Sequence, residues 1–346
     1  SAIMAACARA VLDAGYVPVN CGFIPSPAVA FYGLRKAIPS MMVTGSHIPD
    51  DRNGIKFNRA DGEILKADED GIRAQQVRMS EFTFAQATTS LPPPDPAAQA
   101  LYMHRYLHFF PAHCLMGLRV GVYEHSSVGR DLLAELLRLL GATVIRLGRS
   151  DRFIPVDTEA IRREDVELAR AWAAEQDLDA IVSTDGDADR PLISDERGEW
   201  IRGDVIGVLC AAYLNIDRLV TPVSSNTVVE RCGWFEQVTR TRIGSPFVIA
   251  AMLAARAKGK TIAGYEANGG FLLGSDIERD GRILHALPTR DAVLAILGVL
   301  LSAKEERCPL SELVSCLPPR YTASDRLQNF STDKSRDCIS ILKPKH

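Results

Sequence analysis

The stretch from Leu118 to Gly148 constrains the fold more than any other part of the chain. LRVGVYE is an apolar run rich in β-forming residues, Gly129 to Leu140 is amphipathic at helical spacing, and GATVIRLG is a second apolar run. Strand, helix and strand in that order imply a crossover and parallel pairing. The same rhythm extends in both directions. Upstream, Ile3 to Ala14 reads as a helix ending at Gly15, Tyr16 to Val19 and Ser40 to Val43 as short strands, and Pro27 to Lys36 as the helix between them. Asn53 to Leu65 resembles a hairpin, followed by a polar helix or loop.

Downstream, Val166 to Gln176 reads as a helix, Asp179 to Ser183 as a strand, PLISDERGEWI as a hairpin and Gly203 to Leu214 as a helix. Leu219 to Val223 and Thr261 to Gly264 read as strands, alternating with helices over Phe247 to Ala257 and Thr289 to Ser302. The clearest breaks are TTSLPPPDP, where consecutive prolines exclude a helix or central strand, and Pro318-Pro319. Asp95 is placed to cap a helix over Ala97 to Phe110. The expected architecture is three successive doubly wound α/β domains, 1–92, 93–214 and 215–318, the first incomplete. A linker and stub, 319–346, follows.

Composition removes several classes. The chain has 346 residues, of which 47% are hydrophobic and 24% charged, as in ordinary globular proteins. A net charge of −3 leaves no basic excess for nucleic acid. The longest apolar run, Ala292 to Ala303, is interrupted by Gly298 and Ser302 and falls short of the ~20 residues of a membrane span. The first residues do not read as a signal peptide. Eight scattered cysteines without a CxxC read as reduced thiols, which suits a cytoplasmic protein.

Three segments carry chemistry, each at the end of an apolar strand. Asp185-Gly186-Asp187-Ala188-Asp189-Arg190 follows AIVST. On an extended backbone the three carboxylates would share one side, and such a group of hard oxygens suits Mg²⁺ or Ca²⁺. With Glu196 they also fit EF-hand loop positions, but Arg190 stands where that loop needs glycine. Thr44-Gly45-Ser46-His47 follows MMV and exposes a serine hydroxyl, with His47 and Lys56 at hand for proton transfer and charge. Gly264 to Gly270 reads GYEANGG, where Glu266 and Asn268 face the same way and suit a pair of sugar hydroxyls. Taken singly, the second and third also read as ordinary turns. His104, His108 and His113 lack a set of zinc ligands, and Ser126 to Asp131 reads as a helix cap more than an anion site.

TGSHIPDDRNGIK, DGDADR and GYEANGG, in that order, resemble the α-D-phosphohexomutase superfamily, and RTRIGSPFV resembles the segment preceding its sugar loop. The resemblance covers Ile3 to about Phe330. It implies three mixed α/β sandwich domains and Mg²⁺-dependent interconversion of hexose 6- and 1-phosphates. The reaction would run through a phosphoserine and a 1,6-bisphosphate, with glucose or mannose 1,6-bisphosphate as activator. Ser46 matches the phosphorylated serine. Asp185, Asp187 and Asp189 match the metal ligands, and Ser46 supplies a further oxygen. His47 and Lys56 match groups flanking the phosphoserine, and Arg190 a contact of the transferring phosphoryl group. Glu266 and Asn268 match the pair that binds the sugar's 3- and 4-hydroxyls, and Gly244 and Ser245 a substrate-contacting turn. Small hexose phosphates are the implied partners, with no nucleic acid or membrane, and a monomer or dimer is left open.

Departures from the superfamily pattern are also legible. Its opening strand and arginine-bearing loop have no counterpart, and no phosphate-gripping fourth domain follows Pro319. Many members read Glu-x-Ser-Gly-His where this chain has Glu266 to Gly270. The expectation is therefore a phosphomannomutase or phosphoglucomutase sequence lacking both ends, with phosphoglucosamine mutase or a catalytically incomplete phosphosugar-binding fragment as alternatives.

Overall fold

The computed structural model describes residues 2–46, 53–76, 91–325 and 330–343. Two helices, α1 (Ala2–Asp13) and α2 (Ser26–Lys36), precede a sheet of β1 (Ser40–Thr44), β2 (Gly54–Arg59) and β3 (Gly62–Glu63). These strands pair antiparallel in chain order, and α3 (Lys66–Arg73) follows. The first unit therefore departs from a doubly wound parallel sheet in its described residues. Tyr16 to Val19 is not a strand: Tyr16 and Val17 are exposed and pair with no sheet among the described residues, so apolar character there has nothing to bury against.

The second unit opens with α4 (Ala97–Phe109), preceded by Asp95, whose carboxylate accepts from Ala97 N. It continues through β4 (Arg119–His125), α5 (Arg130–Leu139), β5 (Thr143–Arg149), α6 (Arg163–Glu175), β6 (Ala180–Thr184) and β7 (Pro191–Ser194). The sheet order is β5-β4-β6-β7, parallel except at β7. Every residue of β6 is buried, which its unbroken AIVST run requires of a strand covered on both faces. One face meets α6 through Tyr123, Leu147, Ala169 and Ile181, and the other joins the main core.

The third unit repeats the plan. It comprises α7 (Gly203–Tyr213), expected at the end of the second unit but packed on α10 and β10, then β8 (Arg218–Pro222), α8 (Val228–Arg231), β9 (Gln237–Thr241), α9 (Ser245–Ala254), β10 (Ile262–Tyr265) and β11 (Phe271–Leu273). A hairpin of β12 (Ile277–Arg279) and β13 (Arg282–Leu284), then α10 (Ala292–Glu306), α11 (Leu310–Ser315) and α12 (Thr332–Leu342) complete the described chain. The sheet order is β11-β10-β8-β9, again parallel with one antiparallel edge, β11.

The apolar run read at Ala292 to Ala303 is the buried body of α10, which packs on α7, β7 and β11. No described helix is long and apolar enough to cross a membrane. Because α7 and α10 contribute to the same apolar cluster as both mixed sheets, these two units share one core. Gly207 of α7 makes this possible locally, since a Cβ there would lie 2.4 Å from the Tyr265 ring.

Candidate active site

All three motif loops are hairpin connections. The Ser46 segment joins β1 to β2, whose last pair is Thr44 with Gly54. Asp185 to Arg190 joins β6 to β7, and Glu266 to Gly270 joins β10 to β11. Each loop therefore leaves the carboxyl end of a strand and returns antiparallel, and packing of the three units brings the loops together.

The acidic loop is not extended, as alternation along a strand had implied. It curls: Asp185 N donates to Arg190 O, Ala188 N to Asp185 O, and Asp189 and Arg190 N both donate to Asp185 Oδ1. Ala188 takes φ +59° to allow this. Outside the loop, Ser26 N donates to Asp187 O, and Val128 N, two residues before α5, donates to Gly186 O. The three carboxylates converge all the same. One oxygen of each lies within 4.8 Å of the others, and all three residues are buried.

Ser46 is brought to this cluster by a left-handed turn, φ +50°, in which its N–H donates to Thr44 Oγ1. Its hydroxyl donates to Asp185 Oδ2 at 2.6 Å. Gly186 accepts the approach because it has no Cβ; one would fall 2.4 Å from Ser46 O. Lys56 reaches in from β2, and its ammonium bridges Asp187 Oδ2 and Asp189 Oδ2, 2.5 Å from each. Arg190 lies 3.8 Å from Asp185 and 3.7 Å from Asp189. His47 lies outside the described residues.

Burial and the neighbouring Asp187 and Asp189 charges push Asp185 well above the usual carboxylate range. Burial acts the same way on Asp189, but Arg290, Lys56 and Arg190 outweigh it and hold that carboxyl well below the range. Burial lowers Lys56, and Asp189 with Asp187 more than reverse this. The donor set fits a hard divalent cation. Asp187 Oδ1 and Asp189 Oδ1 are buried with no hydrogen-bond partner, and buried carboxylate oxygens left over after the lysine is satisfied are the ligands Mg²⁺ takes.

The sugar-loop candidates are buried at the same place. Asn268 Oδ1 accepts from Gly270 N, and Asn268 O accepts from Thr158 Oγ1 of the second unit. Glu266 Oε2 accepts from Arg290 Nη1 at 2.9 Å. Arg290, just before α10, was not singled out from the sequence. Its Nε donates to Asp189 Oδ2 at 3.0 Å, so one guanidinium ties the acidic loop to the sugar loop. Gly244 adopts φ +122°, and Ser245 Oγ donates to Glu63 Oε2 of β3, while Glu63 Oε1 accepts from Thr289 Oγ1. The structure thus joins Ser245 to the first unit through Glu63, a second residue no motif had flagged.

Residues 1–81, 101–198 and 202–321 match the families described as phosphoglucomutase/phosphomannomutase, alpha/beta/alpha domains I, II and III. The chain is 48% identical over 340 residues to a phosphomannomutase of Salmonella muenchen, covering 98% of this chain and 70% of that protein. It is 46% identical over 346 residues to a phosphomannomutase of Sinorhizobium fredii, covering 99% of this chain and 73% of that protein. A crystal structure of a phosphoglucomutase/phosphomannomutase family protein from Burkholderia thailandensis shares the fold, with TM-score 0.66 at 18% identity over 87% of this chain and 65% of that one. Three consecutive domain matches and close relatives over nearly the whole chain lead to one assignment: the chain belongs to the phosphoglucomutase/phosphomannomutase family of isomerases.

Proposed function

We propose that this chain carries out the phosphoryl shift of a Mg²⁺-dependent phosphomannomutase/phosphoglucomutase in the cytoplasm, with Ser46 as the phosphoryl carrier. The observation that supports it best is the Ser46 hydroxyl at 2.6 Å from Asp185, beside two further buried carboxylates. Asp185, Asp187 and Asp189 would hold Mg²⁺, with an oxygen of phosphorylated Ser46. The bound cation would neutralise charge on the phosphoryl oxygens during transfer.

In the first half, a free hydroxyl of a hexose monophosphate attacks the phosphorus on Ser46. The Ser46 O–P bond breaks, a sugar O–P bond forms, and the hydroxyl proton passes to the enzyme. The resulting 1,6-bisphosphate turns over and returns its other phosphoryl group to Ser46. Phosphoryl transfer needs in-line positioning and charge neutralisation more than covalent help. Lys56 and Arg190 supply the fixed positive charge, and Lys56 with His47 serve the proton. Glu266 and Asn268 hold sugar hydroxyls, with the turn at Gly244 and Ser245 closing on the substrate. The similarity to two phosphomannomutases favours mannose and glucose phosphates.

Phosphorus NMR tests this reading. Incubation with Mg²⁺, a trace of glucose 1,6-bisphosphate and mannose 1-phosphate should yield mannose 6-phosphate. Appearance of inorganic phosphate alone would make the chain a phosphatase. Turnover confined to glucosamine phosphate would replace the proposed substrate class.

A further inference from the structure

Asn268 is held from three sides. Its Oδ1 accepts from Gly270 N, which fixes the carboxamide within the loop. Its backbone lies against the start of α7, where a Cβ on Gly203 would fall 2.5 Å from Asn268 C and 2.4 Å from Gly269 N. Its carbonyl oxygen accepts from Thr158 Oγ1 at 2.8 Å, a buried bond that crosses from the second unit to the third. Nδ2 donates to no described residue and keeps contact with solvent, so it is the donor left for a ligand.

Thr158 is itself anchored. It stands between β5 and α6, where Asp157 Oδ1 accepts from Glu159 N and Ala160 N, and Arg202 Nη1 donates to Glu159 O. Thr158 and Asn268 are both buried, so a carbonyl that loses this donor stays unsatisfied unless the loop shifts. Such a shift carries the Asn268 carboxamide with it. Glu266 has a separate tie to the second unit, through Arg290 and Asp189. Each member of the sugar pair is therefore held by a bond of its own. We propose that Thr158 is a positioning residue of the sugar subsite: its hydroxyl holds the Asn268 backbone so that Nδ2 meets one of the two sugar hydroxyls. The inference rests on the mutase reading given above, in which Asn268 meets the sugar. A hydroxyl that only satisfied a buried carbonyl would change stability and leave sugar affinity untouched.

Calorimetric titration of the whole chain in Mg²⁺ tests it, with glucose 1-phosphate and its 3-deoxy and 4-deoxy analogues. Thr158→Val, which keeps the shape and removes the donor, should weaken glucose 1-phosphate about fivefold, the equivalent of one hydrogen bond. Thr158→Ser, which restores the donor, should bind within about twofold of the unaltered chain. On one deoxy analogue, the one lacking the hydroxyl that Asn268 meets, Thr158→Val should bind as the unaltered chain does. On the other, held through Glu266, the fivefold loss should remain. If Thr158→Val does not fold, Thr158→Ala carries the same comparison. Unchanged affinity in the folded variant would overturn the inference, as would an equal loss on all three sugars or a Thr158→Ser as impaired as Thr158→Val. An unaltered chain that binds none of the sugar phosphates would overturn the mutase reading itself, and the inference with it.

Discussion

Ser46 Oγ donates to Asp185 Oδ2 at 2.6 Å across 139 positions of sequence and between two different sheets. Both residues sit at the carboxyl end of an apolar strand, in the loop that turns the chain back antiparallel. The contact is made possible by Gly186, which lets the Ser46 backbone close down on the acidic loop. On the proposed reading, a nucleophile from one unit is thereby registered against the cation site of another.

Asp187→Asn separates the cation site from the fold. The change removes one carboxylate of the buried cluster and leaves Lys56 paired with Asp189. The stability of the metal-free protein should be held within about 1 kcal/mol. The rise in thermal midpoint that Mg²⁺ gives the unaltered protein should disappear, and with it Mg²⁺-dependent phosphoryl transfer. Thermal unfolding with EDTA and with Mg²⁺ checks both; an undiminished Mg²⁺ response would refute the ligand assignment.

Lys56→Met takes away the cation that bridges Asp187 and Asp189. The two aspartates are almost wholly buried while Lys56 keeps 30% exposure, so the loss should fall below that of a fully buried pair. The expectation is about 2–3 kcal/mol in EDTA, read from urea denaturation. Mg²⁺ should recover part of it, because a divalent ion neutralises the same carboxylates. Equal losses with and without Mg²⁺ would count against a shared site.

Much of the fold and of this site is legible in the sequence, and the omissions have physical causes. AIVST and the DGDADR loop announce a buried strand with three carboxylates at its end, the donor set that suits a hard divalent cation. Tyr16 to Val19 misleads, since apolar character predicts burial only where a partner surface exists, and there it is exposed. β9 passes unnoticed because QVTRT is a polar edge strand with only one apolar residue. Glu63 and Arg290 carry no local signal. Arg290 lies 24 residues beyond Glu266 and 101 beyond Asp189, so tertiary packing alone makes it part of the site.

Asp291 joins α4 to α10. Its carboxylate accepts from Tyr102 Oη at 2.7 Å and from Tyr106 Oη, and caps α10 through Leu294 N. All three side chains are buried, so Asp291→Ala strands two hydroxyls and uncaps a core helix. A loss of about 3 kcal/mol is expected, against about 1 kcal/mol for Tyr102→Phe, which removes a single bond. Denaturant midpoints for the two variants decide the matter, and equal losses would show that Asp291 does not integrate the cluster.

His125 gives stability a pH dependence. Burial lowers its pKa from 6.5 to about 4, against the pull of its bond to Thr184 O. Between those values the unfolded chain binds a proton that the folded one refuses, so its contribution is full above pH 6.5 and is lost as pH falls toward 4. The contribution lost is on the order of 3 kcal/mol. Urea midpoints between pH 7 and pH 5 should fall more steeply for the unaltered protein than for His125→Asn. Parallel slopes would exclude His125 as the source.

The central claim, that Ser46 accepts a phosphoryl group beside the acidic loop, is tested most directly by the intact mass of the protein after incubation with Mg²⁺ and glucose 1,6-bisphosphate. The account predicts the gain of one phosphoryl group, absent in Ser46→Ala and absent when Mg²⁺ is chelated. A folded, Mg²⁺-loaded protein that gains no mass, or one that gains it equally in Ser46→Ala, would contradict it.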